Sequence, residues 1–172
     1  MHVIRGNIDH TTARGRKILL IGYGNPGRGD DGLGPALAGA IEPLGLRDVT
    51  VEIDYQLTVD HAMLIAAHDV VVFADAMMSL DDAYCLTRVG TEQPATFGSH
   101  QVTPGAALQL AGLLFGNVPS GWILAIGGDA FDEVGEGLSP RAHGNLLLAT
   151  EFLIGWIPAL REDADGLGAM TE

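Results

Sequence analysis

The sequence contains few basic residues and a single cysteine. Nine Lys and Arg stand against 22 Asp and Glu in 172 residues, which gives a formal net charge of −13. Nucleic-acid binding depends on clustered Lys and Arg that contact phosphates, so this composition argues against that function. Because Cys85 has no second cysteine to pair with, an internal disulfide is excluded, which suits a reducing compartment. We therefore expect a cytoplasmic protein whose acidic surface favours partners with positive patches or metal ions.

Long hydrophobic runs are absent as well. No apolar segment approaches the ~18 residues that a membrane span requires, so we expect no association with a membrane. Residues 1–10 also lack the continuous apolar stretch of a signal peptide. Hydrophobic residues nevertheless make up 47% of the chain, and the mean hydropathy is +0.24, which predicts a globular protein with a sizeable core. We predict a flexible N-terminal segment at residues 1–16, one α/β domain at residues 17–160 and an acidic tail at residues 161–172.

Short apolar runs alternate with helical patterns along the chain. Strands are predicted at residues 17–23, 49–55, 70–74, 83–89 and 122–126, and helices at residues 33–41, 60–67, 103–115 and from 139 to a stop at Pro158. About six residues join the third and fourth strands, too few for a parallel crossover, so the fourth strand should run antiparallel. The pattern predicts a three-layer α/β/α sandwich with a mostly parallel, five-stranded twisted sheet and one antiparallel strand.

Three potential metal ligands are expected at one edge of this sheet. Asp31 lies in the glycine-rich loop after the first strand, Asp75 follows the third strand, and His100 precedes the third helix. Ligands of open α/β sheets bind outside the carboxyl ends of the strands. Two carboxylates and one imidazole suit a divalent first-row ion and leave positions open for water or substrate. The spacing alone, however, does not distinguish metal ligands from helix caps or solvated loop residues.

Three motifs, in order, resemble those of a known family. IGYGNP at residues 21–26, followed by DDGLG at residues 30–34, resembles the opening signature of the NiFe-hydrogenase maturation endopeptidases. VFADA at residues 72–76 is similar to the second motif of that family, and SHQ at residues 99–101 is similar to the third. The resemblance spans residues 17–155.

This resemblance implies a site and a reaction. The metal-binding acid of the family falls on Asp31, its strand-end Asp on Asp75 and its histidine on His100, which are thus the implied catalytic and metal-binding residues. The implied activity is removal of the C-terminal extension of the hydrogenase large-subunit precursor after nickel insertion. The implied metal is nickel supplied by that client, with another divalent metal as a substitute.

Other polar residues near the predicted strand ends are expected to shape the substrate cleft. They are Asn25, Asp30, Asp54, Gln56 and Asp129. Ordinary loop residues would give the same pattern, so their assignment depends on where the folded chain places them.

Other functions are compatible with parts of the sequence. A non-catalytic maturation chaperone could use the same ligands only to sense a metal ion. GNPG at residues 24–27 is also similar to an element of bacterial peptidyl-tRNA hydrolases, but DDG at residues 30–32 replaces the Thr-Arg-His-Asn segment of that family. The glycines at residues 22–27 match a dinucleotide fingerprint, yet no helix is predicted to begin inside it and the following carboxylates would repel a phosphate.

Overall fold

The structure, a computed structural model, describes residues 15–90, 102–131 and 134–162. Its elements are strand β1 (Ile18–Tyr23), helix α1 (Leu33–Ile41), strand β2 (Val49–Asp54), helix α2 (His61–Ala66), strand β3 (Val70–Met78), strand β4 (Tyr84–Arg88), helix α3 (Pro104–Phe115), strand β5 (Ser120–Gly128) and helix α4 (Pro140–Glu162). Short 3-10 helices at Gly29–Gly32 and Glu42–Leu44 flank α1. The predictions for His100, for residues 1–14 and for residues 163–172 lie outside the described residues.

The five strands form one sheet in the order β2-β1-β3-β5-β4. β1 pairs in parallel with β2 and with β3, and β3 pairs in parallel with β5. β4 lies at the edge of the sheet and runs antiparallel to β5. The predicted sheet of five strands, parallel except for one, is confirmed.

Alternate residues of the strands send apolar side chains to opposite faces of the sheet. One face packs against α1 and α4 through residues that include Ile18, Leu20, Val70 and Val72. The other face packs against α2 and α3 through residues that include Leu19, Ile21, Val71 and Phe73. β1 and β3 are therefore buried on both faces, which explains their continuous apolar sequences. The predicted three-layer sandwich is confirmed.

Strand β3 is longer than the sequence predicted. The apolar run ends at Ala74, but the strand continues to Met78 because β5 supplies a partner for each of its residues. Pairing between β1 and β3 stops at Ala74. Asp75 therefore lies inside β3, one residue beyond the end of the pairing with β1, rather than after the strand.

The prediction that helix α4 stops at Pro158 is wrong, because the helix continues to Glu162. A proline cannot donate the backbone hydrogen bond of a helix and usually breaks a helix interior. Here Pro158 is exposed in the last turns, while Ile157 and Leu160 are buried in the core, and their packing outweighs the missing bond. Although α4 is 23 residues long, no helix in the described part of the chain is long and apolar enough to cross a membrane.

Candidate active site

The order of the strands changes direction between β1 and β3. From β1 the chain passes through α1 to β2 on one side of β1, and β3 lies on the other side. In open α/β sheets such a switch point opens a crevice at the carboxyl ends of the strands, where ligands bind. The 3-10 helix after β1 carries Asp31, and β3 carries Asp75. Two of the three predicted metal ligands thus lie at this crevice, and the third, His100, lies outside the described residues.

The loop after β1 holds Asp31 through a sharp turn. Gly24 has a φ of 139°, which strongly favours glycine, and its N–H donates to the carbonyl of Asp54 in β2 (3.2 Å). The Asn25 N–H donates to Oδ2 of Asp31 (2.9 Å), and Oδ1 of Asn25 accepts from the Gly27 N–H (2.9 Å). The loop therefore fixes one carboxylate oxygen of Asp31.

Replacing Gly24 with alanine should distort this loop. A Cβ at Gly24 would lie 2.0 Å from the carbonyl oxygen of Asp31, so the backbone would have to move. We expect Gly24→Ala to lower the free energy of unfolding by about 3 kcal/mol, from the unfavourable φ and the clash together. Gly45→Ala is the matched control, because Gly45 also has a positive φ (54°) but no atom lies within 4 Å of its added Cβ. In urea denaturation, Gly45→Ala should lower the free energy of unfolding by about 1 kcal/mol. If Gly24→Ala and Gly45→Ala lose the same amount, the loop relieves the clash at Gly24 without cost.

Asp75 receives hydrogen bonds from β1 and from its own strand. The Tyr23 hydroxyl donates to the Asp75 carboxylate, because the two residues are neighbours on the same face of the paired strands β1 and β3. The Ala76 N–H donates to Oδ1 of Asp75 (2.8 Å). Burial raises the pKa of Asp75 above its ordinary value, the bonds from Tyr23 and Ala76 oppose that rise, and the negative charge of Asp31 adds to it.

Tyr23 is a site residue that the sequence reasoning missed. Burial, followed by the charge of Asp75 and the hydrogen bond to it, raises the pKa of the Tyr23 hydroxyl far above its ordinary value. Tyr23 therefore stays protonated and remains a hydrogen-bond donor to Asp75. The hydroxyl of Tyr23 at the end of an otherwise apolar strand was a weak sequence signal for a site residue. Its hydrogen-bond partner, Asp75, follows only from the register of β1 and β3.

Asp31 and Asp75 form a negatively charged pair. Asp31 is close enough to raise the pKa of Asp75 by repulsion. In the part of the chain that the structure describes, the donors to this pair are two backbone N–H groups and the Tyr23 hydroxyl, and none carries a positive charge. Carboxylate oxygens bind divalent ions, and a cation between them would relieve the repulsion. The pair therefore fits a metal ion, although no group of three potential ligand side chains comes together among the described residues.

Several solved structures are similar to this one. The hydrogenase maturating endopeptidase HybD from E. coli matches with a TM-score of 0.60 and 23% sequence identity, over 85% of this chain and 93% of that one. The hydrogenase maturation protease HycI from Thermococcus kodakarensis KOD1 matches with a TM-score of 0.66 and 18% identity, over 88% and 96% of the two chains. An endopeptidase from Escherichia coli, solved in solution, matches with a TM-score of 0.65 and 20% identity, over 85% and 93%. The chain has the fold of the hydrogenase maturation proteases. No protein-family model matches the sequence, and neither does any curated protein.

In this maturation-protease fold, Asp30 is placed differently from the prediction. It was expected to shape the cleft, but it is 0% exposed and cannot contact a substrate. Its carboxylate accepts hydrogen bonds from the N–H groups of Asp129 (2.8 Å), Ala130 (2.9 Å) and Ser139 (2.7 Å) and from the Ser139 hydroxyl (2.7 Å). Burial alone would raise the pKa of Asp30, but the four bonds together hold it below its ordinary value. Asp30 thus ties the loop that carries Asp31 to the start of α4.

The remaining predicted cleft residues lie around the same edge of the sheet. Asp54 ends β2 with its side chain 40% exposed, Gln56 is exposed, and Asn25 is partly buried. Asp129 is exposed and forms an ion pair with Arg141 of α4 (2.7 Å). Each of these four predicted residues lies at or just after the carboxyl end of a parallel strand. Their contact with a substrate stays a prediction.

Proposed function

We propose that this chain is an endopeptidase that removes the C-terminal extension of a NiFe-hydrogenase large-subunit precursor after nickel insertion. The observation that carries the proposal is the Asp31–Asp75 pair at the switch point of a maturation-protease fold. Three similar structures are of proteins named as endopeptidases or maturation proteases. Their identities of 18–23% make the likeness one of fold, so the activity of this chain is argued from its site.

The proposed ligands are Asp31, Asp75 and His100, with nickel as the preferred ion and another divalent metal as a substitute. The backbone of the loop holds Asp31, and the Tyr23 hydroxyl holds Asp75. Carboxylates that are already oriented need little rearrangement to accept an ion. A divalent ion at this position would polarise a carbonyl group or activate water.

Nickel is proposed to arrive with the substrate. Two carboxylates and one imidazole offer few ligands and leave coordination positions open. The client thiolates that already hold the nickel ion would occupy these positions, so that both proteins would bind the same ion. Cleavage would then depend on correct metallation of the client, which gives the reaction its place after nickel insertion.

Trimming is therefore expected to require the nickel-loaded precursor. The experiment incubates the purified chain with nickel-loaded and metal-free large-subunit precursor from the same organism and weighs the products by mass spectrometry. The loaded precursor should lose its extension, and the metal-free precursor should stay intact even at high enzyme concentration. Parallel incubations without the chain exclude self-cleavage and contaminating proteases.

The other outcomes separate the alternatives. Equal trimming of both precursors would contradict nickel dependence and favour a protease whose carboxylates act without the client's ion. Binding of the loaded precursor without any trimming would indicate a metal-sensing chaperone.

A further inference from the structure

Beyond Ala74, β3 has no neighbouring strand on one side in the described part of the chain. β3 pairs with β5 up to its last residue, Met78, whereas its pairing with β1 stops at Ala74. The chain of β1 turns away at Gly24, whose N–H donates to β2. Residues 75–78, which we name the β3 overhang, therefore pair with no described strand on this side, although Tyr23 of β1 lies beside Asp75 and the 3-10 helix at Gly29–Gly32 contacts β3. At the rise of a β-strand the overhang is about 13 Å long.

The overhang directs its backbone groups alternately towards β5 and towards the open side. The carbonyl oxygen of Ala74 and the backbone nitrogen of Tyr23 both lie next to Gly34, because a Cβ added to Gly34 would be 2.4 Å from the oxygen and 3.0 Å from the nitrogen. The backbone groups of Ala74 are therefore directed towards β1. Successive residues of a strand face opposite directions, so Ala76 and Met78 face the same side as Ala74. The Ala76 N–H donates to the carboxylate of the preceding residue instead of to a neighbouring strand. The open side therefore offers backbone donors and acceptors at two positions.

The overhang lies directly at the carboxylate pair and is exposed at its outer end. Its first residue is Asp75, while Met77 is 44% exposed and Met78 is 56% exposed. Unpaired strand edges are commonly blocked by Lys or Pro, and residues 75–78 contain neither. Methionine side chains adapt to partners of different shapes. These features favour an extended peptide as the occupant of the open side.

We propose that an extended segment of the polypeptide substrate adds to the β3 overhang as a short extra strand beside Asp31 and Asp75. This inference rests on the proposed function, because it names how the precursor chain is held at that site. Backbone hydrogen bonds supply the affinity in such strand additions, so the sequence of the bound segment can vary. The substrate carbonyl accepts a hydrogen bond from the Ala76 N–H, which then no longer donates to Oδ1 of Asp75. Binding of the peptide backbone thus frees a carboxylate oxygen at the place where it is needed.

Amide hydrogen exchange measured by NMR tests where the peptide lies. The probe is a synthetic, metal-free peptide that spans the cleavage junction of the precursor, added at saturation to the isotope-labelled full chain. Exchange of the Met78 amide should slow about tenfold or more, because a new hydrogen bond must open first. The Met77 amide already faces β5 and serves as the internal control. Unchanged exchange at Met78 overturns the proposal, whether or not other resonances shift.

A proline at position 78 tests the same edge by kinetics. Met78→Pro removes the N–H that faces the open side and leaves the bonds to β5, since proline is tolerated at such strand positions. Met78→Ala is the matched variant, because it also loses the methionine side chain but keeps the N–H. With the nickel-loaded precursor, KM for Met78→Pro should be roughly two- to tenfold higher than for Met78→Ala, with similar kcat.

The two measurements separate this inference from the proposed function. Equal KM values and no protection of the Met78 amide, with trimming intact, reject strand addition and leave the protease function standing. If the wild-type chain trims no precursor but the peptide protects Met78, strand addition is supported and the protease function is rejected.

Discussion

Asp75→Asn is expected to abolish trimming and leave the fold intact. The substitution removes the charge that attracts a cation but keeps the shape of the side chain and one oxygen that accepts a hydrogen bond from Tyr23 or Ala76. We expect the trimming rate of the nickel-loaded precursor to fall about 100- to 1,000-fold, as for other losses of a preorganised group in an active site. The raised pKa of Asp75 means that ionisation costs more in the folded chain than in the unfolded one, so wild-type stability falls as pH rises through that pKa. Asp75→Asn does not ionise and so does not lose this stability. Its Tm at neutral pH should therefore equal or exceed that of the wild type.

Asp69→Asn is the matched control for this experiment. Oδ2 of Asp69 accepts from the Lys17 N–H (2.8 Å) at the opposite edge of the sheet, and asparagine keeps an acceptor there. Trimming by the control should match the wild type in a mass-spectrometric time course. Wild-type trimming by Asp75→Asn would refute the site, and a large drop in Tm would indicate that Asp75 mainly supports the fold.

Asp30→Ala is expected to cause the largest loss of stability. The four donors that converge on the buried Asp30 carboxylate would lose their partner at once. We expect the free energy of unfolding to fall by about 3–5 kcal/mol in urea denaturation, as for other broken buried charge networks. Ser139→Ala removes one of the four donors and the hydroxyl that caps α4 through the Ala142 N–H (3.2 Å), so it should cost about 1–2 kcal/mol. If Asp30→Ala lowers the free energy of unfolding no more than Ser139→Ala does, water accepts the hydrogen bonds in place of the carboxylate.

The contribution of Asp30 should also depend on pH. Its folded pKa is lowered relative to the unfolded chain, so its stabilisation is fully present above the unfolded pKa of about 3.9 and is lost as pH falls through the folded pKa. Asp30→Asn does not titrate, and the difference in unfolding free energy between it and the wild type should narrow in acid. A constant difference between about pH 7 and about pH 2 would contradict a stabilising ionised Asp30.

Much of the fold could be predicted because local signals and burial agree. The apolar sequences of β1 and β3 match strands buried on both faces, and the short link after β3 required an antiparallel β4. Thr103 caps α3 locally, with its hydroxyl 3.2 Å from the Ala106 N–H. The location of Asp31 and Asp75 at one edge follows from the general rule for ligand sites in such sheets.

The errors concern contacts between segments distant in the sequence. β3 continues past Ala74 only because β5 pairs with it, and nothing near Asp75 in the sequence signals that partner. Asp30 and Asp31 are chemically identical neighbours, yet the 3-10 helix buries one of them and leaves the other at the crevice. The partners of Asp30 lie 99–109 residues later, so no local pattern could distinguish the two.

The bonds between Asp30 and the start of α4 also bear on the order in which the protein is made. During synthesis the loop that carries Asp31 leaves the ribosome early, but Asp129, Ala130 and Ser139 follow much later. β5, which separates β3 from β4 in the sheet, is likewise made after both of its neighbours. Such distant contacts form slowly and late. A nascent chain therefore holds both carboxylates long before the loop that carries Asp31 can be tied to the start of α4, so the complete site forms only when the final third of the polypeptide has folded.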